Sequence, residues 1–274
     1  MTPELIAAKR KAIKLLRKHE TVKNGYAKVI RRLSGCNRLE PCGSFACEPC
    51  STIHQANFVR AALTFMRDCE RRKGRPIKWY VISIVPYPLK VGELGKRYSK
   101  LPHEAKQEML KVLQEAGLGI FIGALDFSRN EDHRQLNAID GKQFASHWSV
   151  HLYGFVPEEE ITARAERILR ASFRRSNEIP LPVKILPFDG NVRALLYGMK
   201  PNFFRRVTVI GNGYDRKGNP RICRNTRSRP LRPWQDASLR AVINKLTLTD
   251  RLVLIGVKVR SMPSGFSLVL TRPP

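Results

Sequence analysis

The sequence lacks any long apolar run and is poor in acidic residues. Its apolar stretches, such as VISIV (81–85) and RLVLIGV (251–257), are far shorter than a membrane-spanning helix. The basic start has no continuous apolar segment, so we expect neither a secretory signal nor a membrane partner. Only 23 Asp and Glu face 50 Lys and Arg, which gives a net charge of +27. Such an excess calls for a polyanion, above all nucleic acid, and we expect a cytoplasmic protein that binds phosphates.

Strands and helices alternate irregularly along the 274 residues, and no repeat is evident. This pattern predicts an α+β fold with a central antiparallel sheet and helices on one face. Near the end of the chain, RLVLIGVKV and FSLVLT predict a hairpin. We divide the chain into a basic helical arm (1–34), a cysteine cluster with a helix (35–75), a main domain (76–210) and a basic extension (211–274).

Four of the six cysteines cluster in CNRLEPCGSFACEPC, as Cys36, Cys42, Cys47 and Cys50. Thiolates at such short spacing, with Gly and Pro between them, can surround a tetrahedral Zn²⁺ ion. His54, one turn further on, is an alternative to one cysteine, and unbound cytosolic thiols are the plainer reading. Four protein ligands leave no open position on the ion, so we expect a structural site.

The stretch ASHWSVHLYGFV (145–156) reads as a strand with one unusual face. At a period of two, Trp148, Val150 and Leu152 point one way. His147, Ser149, His151 and Tyr153 point the other way. A face that only met water would not need imidazoles, and the pattern therefore indicates a site.

Two further stretches carry side chains that could act with this strand. GALDFSRN (123–130) reads as a strand with Asp126 near its end. VRALLYGMKP (192–201) reads as a short helix on which Tyr197 and Lys200, three residues apart, share a face.

Taken in order, these motifs resemble those of rolling-circle replication initiator proteins, members of the HUH endonuclease superfamily. VISIVP (81–86) is similar to the family's first strand. Asp126 and His151-Leu152-Tyr153 occupy the positions of its acidic residue and His-hydrophobe-His metal motif, and Tyr197 to Lys200 match its Tyr-x-x-Lys. The cysteine cluster resembles the zinc-binding start of some plasmid and transposon initiators, so the resemblance covers roughly residues 35–205.

The resemblance implies an RRM-like palm and metal-dependent nicking of single-stranded or origin DNA. A Mg²⁺ or Mn²⁺ ion on Asp126 and His151 would polarise the scissile phosphate. Tyr197 would attack it and form a 5′-phosphotyrosine that initiates replication or transposition, and Lys200 would favour the charged oxygen. The side chains expected to contact DNA phosphates are Arg205, Arg206, Arg221, Arg224, Arg227 and Arg229.

The chain departs from the family at Tyr153, where the second motif histidine would stand. A phenol, with a pKa of about 10 against about 6.5 for imidazole, is a poor ligand for a divalent metal. Three outcomes stay open: Tyr153 binds the ion weakly, His147 replaces it, or the metal site is lost. His147 lies about 13 Å from His151 along an ideal strand, so its participation would need a bulge or loop.

Two other functions are compatible with the sequence. One is an initiator-derived DNA-binding protein without catalysis, although a decayed enzyme need not keep the Tyr197–Lys200 pair. The other is a basic zinc-containing RNA-binding protein, for which WYVISIVPY (79–87) is too apolar to offer a stacking surface. The sequence contains no Gly-rich phosphate loop ending in Lys-Ser or Lys-Thr, so a replication initiator of this kind would need a host helicase.

Overall fold

The fold is given by a computed structural model, which describes residues 2–21, 25–90, 101–132, 134–136, 144–214, 218–263 and 265–271.

Side chains fix the starts of several helices. Thr2, Thr162 and Asn191 each cap a helix by accepting a hydrogen bond from a backbone N–H of its first turn. Within those ranges, no helix combines the length and apolarity needed to cross a bilayer. The helices are α1 (Pro3–Lys18), α2 (Tyr26–Ser34), α3 (Glu48–Lys73), α4 (Leu101–Glu115), α5 (Ala163–Ser172), α6 (Val192–Gly198), α7 (Pro233–Ile243) and α8 (Leu248–Arg251).

The strands are built largely from β-branched and aromatic residues, which fit a pleated, packed surface. They are β1 (Trp79–Ile84), β2 (Pro88–Lys90), β3 (Phe121–Glu131), β4 (His147–Pro157), β5 (Val183–Pro187), β6 (Phe204–Tyr214), β7 (Pro220–Pro230), β8 (Leu252–Ile255), β9 (Val257–Met262) and β10 (Gly265–Leu270).

The main sheet is curled and mixed, with β3 and β4 at its centre. Its order is β5-β1-β4-β3-β6-β7, with β2 also beside β4 and β8 also beside β3. Most neighbours are antiparallel, but β3 and β6 run parallel through the pairs Arg129–Arg205 to Glu131–Val207. The predicted antiparallel sheet is therefore a mixed one. The parallel pair is possible because β3 and β6 are joined by more than 70 residues that include β4, β5, α5 and α6.

Both faces of the central strands are covered, not one face as the sequence analysis predicted. β3 is buried along its whole length, and β4 is buried except at half-buried Tyr153. Because alternate side chains point to opposite faces, continuous burial requires cover on both sides. α6 lies against β3 and β4, while α4 packs with α5 and reaches β4 and β8.

The core takes side chains from all four sequence segments. One buried apolar cluster includes Leu16, Phe65, Leu152 and Leu239. α1 and α2 contact each other and α7, and α3 contacts α6 and β10. The basic N-terminal helices therefore pack onto the C-terminal part of the chain.

The C-terminal strands divide at Gly256. Residues 252–255 form β8, which pairs with β3 in the main sheet, and β9 pairs with β10 in a separate two-stranded sheet. Gly256 has a φ of +63°, and a Cβ there would lie 2.0 Å from the Gly119 carbonyl oxygen. Only glycine fits this turn, which moves the chain from one sheet to the other.

The β3–β4 ladder leaves no room for a side chain at Gly154. A Cβ there would lie 2.3 Å from Cζ of Phe121 and 2.8 Å from the Ile122 carbonyl oxygen. Backbone on one side and a buried ring on the other cannot both move aside in a packed core.

We expect Gly154→Ala to lower the free energy of unfolding by about 2 kcal/mol, since overpacking a core typically costs about 1–3 kcal/mol. Gly35→Ala is the control, because its Cβ would meet only the Arg31 carbonyl oxygen at 3.8 Å and its φ is −74°. Urea denaturation of both variants measures the difference. Equal stabilities would contradict this account of the ladder.

Candidate active site and cysteine centre

The fold brings the expected tyrosine and histidine together on one face of the sheet. Tyr197 of α6 faces side chains that rise from β4. Its ring centroid lies 6.3 Å from that of His151 and 5.1 Å from that of Tyr153. Tyr197 is half-buried, so it is packed in place and still open to solvent on one side.

Asp126 lies beside His151 and is fully buried. The two residues are direct partners in the β3–β4 ladder. Lys200, just past the end of α6, places Nζ 2.6 Å from Oδ2 of Asp126. Among the described residues, Oδ1 has no hydrogen-bond partner. The ion pair neutralises a carboxylate in a position where an isolated charge would be very costly.

Two cations approach Tyr197 from different directions. Arg206 of β6 donates a hydrogen bond to the phenol oxygen. Nζ of Lys200 lies 4.7 Å from the centroid of the phenol ring. Positive charge in these positions would stabilise negative charge that develops on the tyrosine oxygen.

His151 is neutral at physiological pH. Burial lowers its pKa to about 4, against the opposing effect of Asp126 and with a further lowering by Arg206 and Lys200. Its Nε2 atom and Oγ of Ser83 lie 2.6 Å apart and share a hydrogen bond. The imidazole is thus held in one orientation by β1 and does not add a charge to the site.

A cavity of about 400 Å³ opens beside these side chains. It is lined by Ser83, His151, Tyr153, Tyr197 and Arg206 and by residues of β5 and the loop after it. This volume falls within the range of small-ligand sites. The phenol oxygen of Tyr197 and the guanidinium of Arg206 thus belong to one cavity wall.

The residues present do not form a three-ligand site for Mg²⁺ or Mn²⁺. In the described part of the chain, no third His, Cys, Asp or Glu joins Asp126 and His151 in a metal-binding group. Lys200 already neutralises Asp126. Burial and the neighbouring Tyr197 and Asp189 raise the pKa of Tyr153, which makes its phenol a still poorer ligand.

His147 does not take the place of the missing motif histidine. The β3–β4 register is continuous from the Asn130–His147 pair to the Ile122–Phe155 pair, without the bulge that such a replacement needs. The His147 side chain also has other partners. Its Nδ1 donates to the Ala145 carbonyl and its Nε2 accepts from Asn130.

Arg251 is a buried cation bonded to the backbone of the residue before Asp126, and the sequence analysis missed it. Its side chain is fully buried, and it donates to the Leu125 carbonyl at 2.9 and 3.2 Å. The guanidinium also lies 4.6 Å from the Phe45 ring centroid. Burial lowers the pKa of Arg251 to about 10, and the charge of Asp126 opposes that shift. The sequence signal is weak, since one Arg ahead of an apolar strand normally lies on the surface.

The arginines expected to bind DNA fall into two groups. Arg205 donates to Glu131 at 3.0 Å and to the Pro230 carbonyl, so its guanidinium is already paired within the fold. Arg206 contacts Tyr197. The exposed ones are Arg221, Arg227 and Arg229 on β7, while the side chain of Arg224 lies outside the described residues.

Glu131, the last residue of β3, is surrounded by three arginines and a glutamine. It accepts hydrogen bonds from Gln235, Arg205 and Arg232 and lies 3.6 Å from Arg129. Burial raises the pKa of Glu131, but the hydrogen bonds and cations outweigh it and hold the pKa below its usual value. This buried network fixes the start of β6, and with it the position of Arg206.

The four cysteines predicted as metal ligands converge. Their sulfur atoms all lie within 4.8 Å of one another, and Cys36–Cys50, Cys36–Cys47 and Cys42–Cys50 are 3.5–3.7 Å apart. Four sulfurs about 2.3 Å from a zinc ion would be separated by about 3.8 Å in a tetrahedron. The group can therefore hold a metal ion such as Zn²⁺.

The loop that carries the cysteines is held from outside. Arg32 of α2 donates to the Cys42 carbonyl at 2.9 and 3.1 Å, and Ser44 donates to Asn244 at the end of α7. His54 donates to the Gly43 carbonyl at 3.0 Å and is not part of the sulfur group. Hydrogen bonds from Cys47 and Cys50 lower the pKa of the Cys42 thiol, and the same contacts raise the pKa of Cys47. The cluster thus stabilises one thiolate among its four sulfurs.

In comparisons with known proteins, no family model matches the chain, and no match was found among curated proteins or solved structures. The resemblance to rolling-circle initiators thus rests on the order of the motifs. The contacts of Tyr197, Asp126 and His151 are what a functional proposal has to explain.

We expect the purified protein to contain about one zinc ion per chain, since four thiolates complete a tetrahedral shell. Cys47→Ser should lose most of that zinc and melt at a lower temperature, because metal binding stabilises the folded state. Elemental mass spectrometry and thermal melting measure both effects. Cys223→Ser, which lies outside the cluster, is the control and should keep its zinc. Full zinc content in Cys47→Ser would contradict the assignment.

The lowered pKa of His151 predicts a pH-dependent stability. Between pH 6.5 and 4 the unfolded chain binds a proton at this histidine and the folded chain does not, so stability falls as pH falls. From pH 7 to pH 4 the loss is about 3 kcal/mol, taken from a pKa of about 4 in the fold and about 6.5 unfolded.

His151→Gln lacks this titrating group, so its stability at each pH shows how much the other titrating groups contribute. Urea denaturation at pH 7, 6, 5 and 4 gives the unfolding free energies. The difference between wild type and variant should shrink by about 3 kcal/mol over that range. A constant difference would show that His151 protonates freely in the folded state.

Proposed function

We propose that the protein cuts single-stranded DNA with Tyr197, holds the strand as a 5′-phosphotyrosine, and passes it to another 3′-hydroxyl. The observation that carries this proposal is the surroundings of the Tyr197 hydroxyl. It opens onto the 400 Å³ cavity, accepts a hydrogen bond from Arg206, and belongs to a ring beside Lys200. A tyrosine that only packed in the core would not need two cations.

The reaction replaces one phosphate ester bond with another, so the number of ester bonds to phosphorus does not change. The phenol oxygen forms a bond to phosphorus as the bond from phosphorus to the 3′-oxygen breaks. The phenol proton goes to solvent in the cavity, and the leaving 3′-oxygen takes a proton from solvent. Attack by a free 3′-hydroxyl on the phosphotyrosine reverses these steps and joins strands. Such strand transfer is the chemistry that initiates rolling-circle replication or transposition.

The cations provide the electrostatic part of catalysis. At pH 7 an ordinary tyrosine is only about one part in a thousand ionised, so the attacking oxygen needs stabilisation. Arg206 lies on that oxygen, and its planar guanidinium can also bind a phosphate. A single donor aimed at developing charge is worth about 10²–10³ in rate.

The positioning of Lys200 depends on the buried residues below it. Asp126 pairs with Lys200, and His151 packs edge-on against Tyr197. Because Lys200 pairs with Asp126, Lys200 and Arg206 stabilise the charge of this reaction, and it needs no Mg²⁺ or Mn²⁺. Uptake of such an ion by Asp126 and His151 would require Lys200 to move away.

The surroundings of the cavity favour a single strand. A second groove of about 780 Å³ shares Pro187 and Phe188 with the first, so the two grooves meet along the end of β5. Arg67 and Lys78, both exposed, line the second groove. An open path with basic side chains suits the phosphates of a flexible strand.

A DNA-binding protein without catalysis is the second candidate. The observation that favours it is the Lys200–Asp126 ion pair, which occupies the carboxylate that the resemblance assigned to a metal ion. In that case Tyr197 and Arg206 would form a phosphate-binding surface only. The covalent intermediate separates the two candidates.

We expect a covalent protein–DNA band when the full chain is incubated with a randomised single-stranded library labelled at its 3′ end. Denaturing electrophoresis detects the band. Tyr197→Phe should abolish it, because no other group then forms the ester, and Tyr87→Phe, a half-buried tyrosine outside the cavity, is the matched control. Arg206→Ala should reduce its rate of formation about 10²-fold or more.

The same incubation is repeated in metal-free buffer and with added Mn²⁺, and the zinc content of the protein is measured in both. The band should form without added metal, since Lys200 provides the cation. No band under either condition would favour the DNA-binding candidate. A band that survives Tyr197→Phe would refute the assignment of the nucleophile.

A further inference from the structure

We infer that the outer part of the β6–β7 hairpin binds duplex DNA in the major groove, beside the strand held at Tyr197. We call this part the ribbon; it comprises residues 208–214 and 220–227. This inference rests on the proposed function, which identifies the bound polymer as DNA. What is new is that the ribbon would hold a duplex next to the single-stranded segment.

The ribbon extends beyond the sheet. β3 pairs with β6 only at Arg205–Val207, and past that point, in the described ranges, β6 and β7 pair only with each other. Seven residues of strand span about 23 Å. A two-stranded ribbon fits the major groove of B-DNA, which is about 12 Å wide.

The ribbon and its base are strongly basic. Residues 204–230 contain eight Lys or Arg and one acidic residue. Arg221, Arg227 and Arg229 are exposed on β7. Phosphates on both sides of a groove would neutralise these charges and release bound counterions, which is the main source of affinity in such contacts.

The ribbon also exposes apolar side chains. Tyr214 is 75% exposed and Ile210 is 56% exposed. An exposed two-stranded edge with apolar residues is an aggregation risk that proteins usually cover or avoid. Contact with thymine methyl groups and base edges would cover these side chains in a groove.

The base of the ribbon is fixed to the candidate active site. Arg205 is held by Glu131, and the next residue, Arg206, contacts the Tyr197 hydroxyl. A duplex on the ribbon would therefore lie at a set distance from the tyrosine. An RNA duplex suits the ribbon less well, because its deep, narrow major groove is closed to side chains.

The test measures fluorescence anisotropy of the full chain with labelled nucleic acids at several salt concentrations. The probes are a DNA hairpin with a single-stranded tail, a DNA duplex, a single strand of the same length, and an RNA duplex. The ribbon variant carries Arg221→Ala, Arg227→Ala and Arg229→Ala. The control variant carries Arg71→Ala, Arg72→Ala and Arg75→Ala, which removes three exposed charges at the end of α3.

We expect the ribbon variant to bind the DNA duplex at least about tenfold more weakly than the control variant does. The slope of log affinity against log salt should fall by about 2–3, since each lost phosphate contact contributes about 0.9. Tyr214→Ala, which keeps every charge, should weaken duplex binding severalfold with an unchanged salt slope.

Equal duplex affinities of the ribbon and control variants would overturn the inference, as would a loss confined to the single strand or tighter binding of the RNA duplex. The covalent band and Tyr197→Phe test the nicking proposal by a separate measurement. If no band forms but the ribbon variant loses duplex binding, the ribbon inference stands and the nuclease proposal fails.

Discussion

The structure depends on a buried carboxylate, that of Asp126, and on the cations that make its burial tolerable. Lys200 pairs with Asp126 directly, and Arg251, the last residue of α8, adds a buried positive charge that interacts with Asp126. Breaking a buried pair by removing one member typically costs about 3–5 kcal/mol. The three residues come from β3, the end of α6 and α8, so neutralising one charge draws together parts of the chain that are more than 50 residues apart.

The same cations connect structural and chemical roles. Lys200 neutralises Asp126 and also lies beside the Tyr197 ring, and Arg251 contacts the cysteine loop through Phe45. Phe45 lies in the loop between Cys42 and Cys47, so the cysteine loop packs on the same buried guanidinium that bonds the backbone beside Asp126.

Much of the site could be predicted from the sequence because short-range rules apply to it. The spacing of the cysteines requires a compact loop, and the structure groups their four sulfurs. The alternation in HWSVHLYGFV indicated a strand, which is β4, and Tyr197 and Lys200 were placed together by helical spacing. Arg251 could not be found in this way, since its burial depends on Phe45, Leu125 and Phe203, which are remote in sequence. The covered second face of the sheet and the parallel β3–β6 pair were missed for the same reason.

The sequence by itself determined the charge, the α+β class, the cysteine loop and the polar face of β4, because these follow from composition and from residue periods of two and 3.6. Only the tertiary structure decided which side chain neutralises Asp126, that His147 is too far from His151 to act with it, and that Arg205 serves the fold while Arg206 reaches Tyr197. The physical reason is that a buried charge selects its partner by position in space, and the sequence period of a single strand or helix contains no information about the neighbours packed against it.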